Sequence, residues 1–189
     1  MSKFLLVLGP SGVGKSTIIN ELIKLDSKFV YISPFITRNL RPGEKDKIFK
    51  TYEEISEMEA RGELLAVNDL YGVKYATPKF PIEDAFSKKL FPLLDWPIDQ
   101  LTTMTKVFPG RIFSVYLYPP SIDDLLKRLM KDGRDLDGNR FYQAKKELYE
   151  FLLGRYKCVD TFIPSAENNI INIAKLIYKN YLDSFSPRT

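Results

Sequence analysis

Phe4-Leu-Leu-Val-Leu8 is apolar at every position, which predicts a strand covered on both faces, as in parallel sheets. Past a glycine-rich turn, Ile18, Ile19, Leu22, Ile23 and Leu25 recur at helical spacing. A second β-like run covers 28–33, and 34–47, polar and carrying Pro34, Pro42 and Gly43, reads as a loop. The stretch 52–62 predicts a helix with glutamate-rich outer positions and Gly62 as its stop. Short strands are expected at 64–67 and 71–76, and buried ones at 90–94, ending in Asp95, and at 112–118, before Pro119-Pro120. Ser121 opens a helix: Asp124, three residues on, completes a capping box, and Leu125, Leu126, Leu129 and Met130 form the apolar face. Residues 132–139, rich in glycine and charge, read as a mobile loop, with helices at 140–153 and 168–182 and a frayed tail at 184–189. Strands alternating with helices predict an α/β fold: a mainly parallel sheet flanked by helices.

The chain has 189 residues, 44% apolar and 28% charged, a mix that supports one packed domain over 1–189. It contains no histidine, which excludes Ser–His and Cys–His catalysis and histidine-ligated metals. A single cysteine, Cys158, allows neither an internal disulfide nor a zinc cluster and reads as a small core residue. The net charge of +4 suits the handling of small anions but is weak for a nucleic-acid binder. Lys88-Lys89 and Lys145-Lys146 are isolated pairs without interleaved aromatics, so no nucleic-acid partner is expected. No run approaches the roughly 18–20 apolar residues of a membrane span, and the expected location is cytoplasmic.

Chemistry enters at Gly9-Pro10-Ser11-Gly12-Val13-Gly14-Lys15-Ser16-Thr17, which satisfies G-x-x-x-x-G-K-[ST] between a predicted strand and a predicted helix. Glycines let backbone N–H groups wrap phosphate oxygens, and the helix N-terminus adds its positive dipole end. Lys15 is placed to reach the β- and γ-phosphates of a nucleoside triphosphate, and the Ser16 hydroxyl to ligate Mg²⁺. Asp95, at a strand end, is the expected acidic partner of that metal. Trp96, beside it, reads as a packing residue or a base-stacking one.

In Thr37-Arg38-Asn39-Leu40-Arg41-Pro42-Gly43-Glu44, two arginines three apart can present two planar forks to one phosphate. Together with the segment 9–17, this run resembles the guanylate kinase family. The likeness continues in order through Gly62-Glu-Leu-Leu65, Gly72-Val-Lys-Tyr75-Ala-Thr77-Pro78, Leu93-Leu94-Asp95 and Pro119-Pro120-Ser121. It runs on through Arg128-Leu129, Gly133, Asp135, and Arg140 with Ala144 and Glu147.

The resemblance implies transfer of the γ-phosphoryl of ATP, with Mg²⁺, to a small phosphorylated acceptor, GMP in the first instance. It implies a P-loop core at 1–32, 83–130 and 146–189, an acceptor-binding subdomain at about 33–82 and a lid at about 131–145. Carried over residue by residue, Arg38, Arg41 and Tyr75 hold the acceptor phosphate, and Thr77 helps read the base. Asp95 borders the acceptor, while Arg128, Arg134 and Arg140 close over the transferring phosphoryl. Where the family has a glutamate that accepts from guanine, this chain has Ala66, with Asp69 at a second acidic position. The lid's R-G is Asp132-Gly133, with Arg134 next to it. The departures fall on the base-reading and lid sides. Two other readings therefore stand beside GMP phosphorylation: a kinase of another phosphorylated ribose, such as ribose 1,5-bisphosphate, and a non-catalytic module of the same fold.

Overall fold

The computed structural model describes residues 3–40, 44, 47–70, 72–133, 135 and 138–186. In chain order these form β1 (Phe4–Leu8), α1 (Lys15–Leu25), β2 (Phe29–Tyr31), β3 (Phe35–Ile36), β4 (Ile48–Phe49), α2 (Tyr52–Ala60), β5 (Leu64–Leu70) and β6 (Val73–Pro78). There follow α3 (Phe80–Ser87), β7 (Phe91–Asp95), α4 (Leu101–Val107), β8 (Ile112–Tyr118), α5 (Ile122–Asp132), α6 (Asn139–Leu152), β9 (Thr161–Pro164) and α7 (Ile170–Asp183). Short 3₁₀ turns precede α4 and α7.

All five side chains of β1 are at 0% exposure, and strand alternation explains why none is polar. Leu5 and Val7 enter one hydrophobic core; Phe4, Leu6 and Leu8 enter the other. β1 is the middle of a five-stranded sheet ordered β2-β7-β1-β8-β9, and every described pairing in it is parallel. Parallel neighbours need crossover connections, so helices cover both faces. Ile18, Ile19 and Leu22 of α1 and Ile173, Ala174 and Ile177 of α7 fill one side. Ile82 of α3 with Leu101 and Met104 of α4 fill the other. A second sheet, ordered β4-β3-β6-β5, is mixed: β3 pairs β4 parallel and β6 antiparallel.

The sequence pattern missed five elements. β3 and β4 are two residues each and exist only through their pairing, so no periodicity announces them. α3 carries a proline in its first turn and buries only Ile82 and Ala85, too short a stripe to stand out. α4 and β9 are likewise short. Two residue-level expectations are corrected. Met130 is 71% exposed, because the stripe of α5 that packs on Ala144 and Leu148 of α6 is Leu125 and Leu129, and Met130 lies one step round the helix. Cys158 is exposed, in the turn between α6 and β9, rather than in the core. Among the described residues, no helix is long and apolar enough to cross a membrane.

Candidate active site

The carboxyl ends of β1 and β7 lie side by side, with Val7 registered against Asp95, and the chain leaves β1 directly into the glycine loop. Ligands of open α/β sheets bind outside such strand ends. The loop geometry depends on glycine. Gly9 has φ +133°, and a Cβ there would lie 2.3 Å from the Leu117 carbonyl oxygen. Gly14, with φ +103°, caps α1 without a side-chain hydrogen bond, so no side chain competes for the first N–H groups of the helix.

Three contacts hold the loop from behind. Val13 O accepts from Ser165 Oγ at 2.7 Å and from Arg128 Nη1 at 3.1 Å, and Arg128 Nη2 donates to Ser165 O at 2.8 Å. Arg128 thus ties α5 to the loop and to the end of β9. Lys15 Nζ folds back to donate to Gly9 O at 2.7 Å and Pro10 O at 3.2 Å, and lies 3.8 Å from Asp95 Oδ1. Lys15, Ser16 and Asp95 all line one cleft of about 830 Å³, within the usual size range of ligand sites.

The opposite wall comes from the second sheet. Lys74 N donates to Thr37 Oγ1 at 2.9 Å and Thr37 N to Lys74 O at 3.2 Å, which fixes the arginine loop to β6. Arg38 is held bidentately by Glu44, at 2.7 and 2.6 Å, and its Nη1 also donates to Asn39 O at 2.9 Å. The Glu44 hydrogen bond is the main reason its guanidinium is held above its ordinary range, with Tyr75 contributing too. Arg38 Nε is buried without a hydrogen-bond partner among the described residues. Tyr75 and the buried Thr77 line the same cleft. Arg140 lines it from α6, whose first turn is capped by Asp135: Arg140 N donates to Oδ1 at 2.8 Å and Phe141 N to Oδ2 at 2.9 Å.

The cleft therefore gathers Gly9, Ser11, Gly12, Val13, Gly14, Lys15, Ser16 and Thr17 with Arg38, Tyr75, Thr77, Asp95, Arg128 and Arg140. Pro10 enters the site only through its carbonyl. Arg41 and Arg134 lie outside the described residues. Asp69 is registered opposite Lys74, and its neighbours Asn68 and Leu70 are the β5 residues that line the cleft, because strand parity turns alternate side chains to opposite faces.

Glu147, Ser165 and Asn68 also belong to the cleft or its support. Glu147 Oε1 and the Tyr116 hydroxyl are buried and, among the described residues, make no hydrogen bond of ordinary geometry, although they lie near enough for each to shift the other's titration. Burial is the main cause that raises the Glu147 carboxyl, opposed by the charge of Lys15. Burial likewise pushes the Tyr116 phenol up. No sequence signal marks Ser165, since its role follows from how β9 ends beside the loop. Trp96, 3% exposed, belongs to a core cluster and to the cleft wall at once, with Nε1 unpartnered among the described residues. Among the described residues no group of three or more Cys, Asp or Glu is gathered into a metal cage. The hard oxygens of Ser16 and Asp95 suit Mg²⁺, which keeps most of its shell as water and phosphate oxygens.

Comparison with known proteins bears on the same residues. A family model described as guanylate kinase matches residues 1–163. The guanylate kinase of Granulibacter bethesdensis is 32% identical over 174 residues, covering 89% of this chain and 82% of the relative. That of Lactobacillus johnsonii is 32% identical over 179 residues, covering 90% and 87%. Among solved structures, guanylate kinase from Anaplasma phagocytophilum superposes with a TM-score of 0.77 at 22% identity, covering 98% of this chain and 88% of that one. Shikimate kinase from Acinetobacter baumannii follows at 0.53 and 18%, covering 97% and 94%. These structural likenesses speak to the fold, while the family model spans the phosphate loop, the arginine segment and the β5–β6 hairpin. The chain belongs to the guanylate kinase family.

Proposed function

We propose that this chain transfers the γ-phosphoryl group of ATP to GMP, giving ADP and GDP. The observation that carries the reading is that a phosphate loop with Lys15 and an arginine–tyrosine–threonine wall line one cleft, as a two-substrate phosphotransfer needs. The family supports GMP as acceptor, since curated relatives are named guanylate kinase.

The loop's N–H groups and Lys15 hold the β- and γ-phosphates. Arg38 and Tyr75, with Arg41, hold the acceptor phosphate, and Thr77 borders its base. Arg128 keeps the loop in shape, and Arg140 and Arg134 neutralise charge from the lid at about 131–145. The core at 1–32, 83–130 and 146–189 holds ATP, and about 33–82 holds the acceptor. Ser16 and Asp95 would hold Mg²⁺, which supplies charge neutralisation of the phosphates. An acceptor phosphate oxygen forms the new bond to the γ-phosphorus as the bond to the β,γ-bridging oxygen breaks, and ADP leaves carrying that oxygen. The attacking oxygen is already anionic near neutral pH, so no histidine base is required. The reaction belongs in the cytoplasm, where free nucleotides are phosphorylated.

The test is ADP formation with Mg·ATP against nucleoside monophosphates and ribose 1,5-bisphosphate. GMP turnover is expected, falling at least ~100-fold in Lys15→Ala. Turnover of the sugar phosphate alone would overturn the acceptor assignment. Unchanged turnover in Lys15→Ala would overturn the mechanism.

A further inference from the structure

The β5–β6 hairpin is registered so that Ala66 lies opposite Thr77 and Asn68 opposite Tyr75. Opposed residues of an antiparallel pair project to one face. Asn68, Tyr75 and Thr77 accordingly all line the cleft. The alternate residues turn away: Val67 and Ala76 join the cluster around Ile55, and Asp69 sits opposite Lys74. The irregularity between Leu64 and Ala66 inserts Leu65 and sets this parity.

On the cleft-facing side the polar groups this hairpin offers, among the described residues, are neutral: a carboxamide, a phenol and a hydroxyl, with Leu70 beside them. Ala66, opposite Thr77 and about 7 Å along the strand from Asn68, packs against the core cluster that contains Trp96 and offers no hydrogen-bonding side-chain group. A carboxylate only accepts hydrogen bonds, whereas the carboxamide of Asn68 donates through Nδ2 and accepts through Oδ1. Guanine presents O6 as acceptor, N1–H as donor and a 2-amino group as a further donor. One carboxamide matches O6 and N1–H as a bidentate pair and leaves the 2-amino group outside that pair. Hypoxanthine presents the same O6 and N1–H without the amino group.

We propose that Asn68 is a specificity-determining residue that reads the O6/N1–H pair of a 6-oxopurine, so that the 2-amino group contributes little and IMP is phosphorylated alongside GMP. The inference rests on the assignment of a purine monophosphate as acceptor. It places base recognition two residues along β5 from the position where the family resemblance expects a glutamate.

The experiment is steady-state kcat/KM for GMP and for IMP, with Mg·ATP, in the wild-type chain, Asn68→Ala and Ala66→Glu, with KM for ATP and Tm measured on each. In the wild type the two acceptors are expected to differ by less than about tenfold. Asn68→Ala lowers kcat/KM for both by roughly ten- to a hundredfold, the worth of one bidentate amide–base contact, with KM for ATP unchanged. Ala66→Glu, which adds a pure acceptor opposite Thr77, raises the GMP-to-IMP ratio about tenfold or more. A wild-type preference for GMP above about a hundredfold would overturn the proposal without any variant having to fold. So would an Asn68→Ala protein with wild-type Tm and both values within twofold of wild type. Turnover of neither purine monophosphate would instead overturn the acceptor assignment beneath it.

Discussion

Glu147 Oε1 is buried at the cleft with no hydrogen bond of ordinary geometry among the described residues, and burial raises its carboxyl above the ordinary 4.5. Lys15 and the Tyr116 hydroxyl draw it down, while Asp99 and Asp95 push it further up. A carboxyl raised in the folded state folds most favourably when protonated. Its contribution is therefore fully present below about 4.5 and is lost as pH rises through the folded value. Glu147→Gln keeps the shape and removes the charge. The Tm of the variant relative to wild type is expected to climb between pH 5 and pH 8.5, by about 2–4 °C for each kcal/mol relieved. Thermal melts across that range check it. A variant less stable than wild type at pH 8.5 would mean that attraction to Lys15 outweighs burial.

At the scale of elements, α5 shows how local chemistry and packing share the work. Ser121 caps it, with Asp124 N donating to Ser121 Oγ at 3.0 Å. The expected return bond takes a different route: the Asp124 carboxylate accepts from the Ser121 hydroxyl at 2.8 Å. Gly133 closes the helix at φ +61°, with its N–H on Met130 O at 3.0 Å. The helix then sets Arg128 against the loop through Val13 and Ser165. Losing the cap in Ser121→Ala is expected to cost about 1 kcal/mol, lowering Tm by about 2–4 °C. Calorimetry checks the stability. KM for ATP in the same variant reports whether fraying at this end reaches Arg128, two turns away, and little change is expected because Leu125 and Leu129 anchor the interval.

Across the whole molecule, the parallel sheet holds the phosphate loop and the mixed sheet holds the arginine segment, and the cleft runs between them. A ligand that binds only the folded chain stabilises it by mass action, about 2.7 kcal/mol at a concentration a hundred times Kd. Mg·ATP at that concentration is therefore expected to raise Tm by about 5–10 °C. The rise should be largely lost in Lys15→Ala, because the loop then offers no ammonium to the phosphates. Differential scanning fluorimetry checks both. An equal rise in the two proteins would place ATP somewhere other than the loop.

What the sequence determined by itself is whatever depends on neighbours along the chain. The unbroken apolar run of β1 requires cover on both faces, and the glycines at 9 and 14 are needed for backbone that other residues rarely adopt. The helix that follows, the strand at Ile112–Tyr118 and the cap at Ser121 are local in the same sense. Tertiary structure alone decided the rest. Asp69 and Asn68 are adjacent and both polar, and only the pairing of Ala66 with Thr77 shows which of them faces the cleft. Ser165 stands 152 positions from Val13 and meets it through the placement of β9 beside β8. Cys158 looked like a core residue by type, yet the turn that carries it leaves it exposed. Hydrophobic periodicity and backbone conformation are read within a few residues, whereas register and contact between distant segments are fixed only when the sheets assemble.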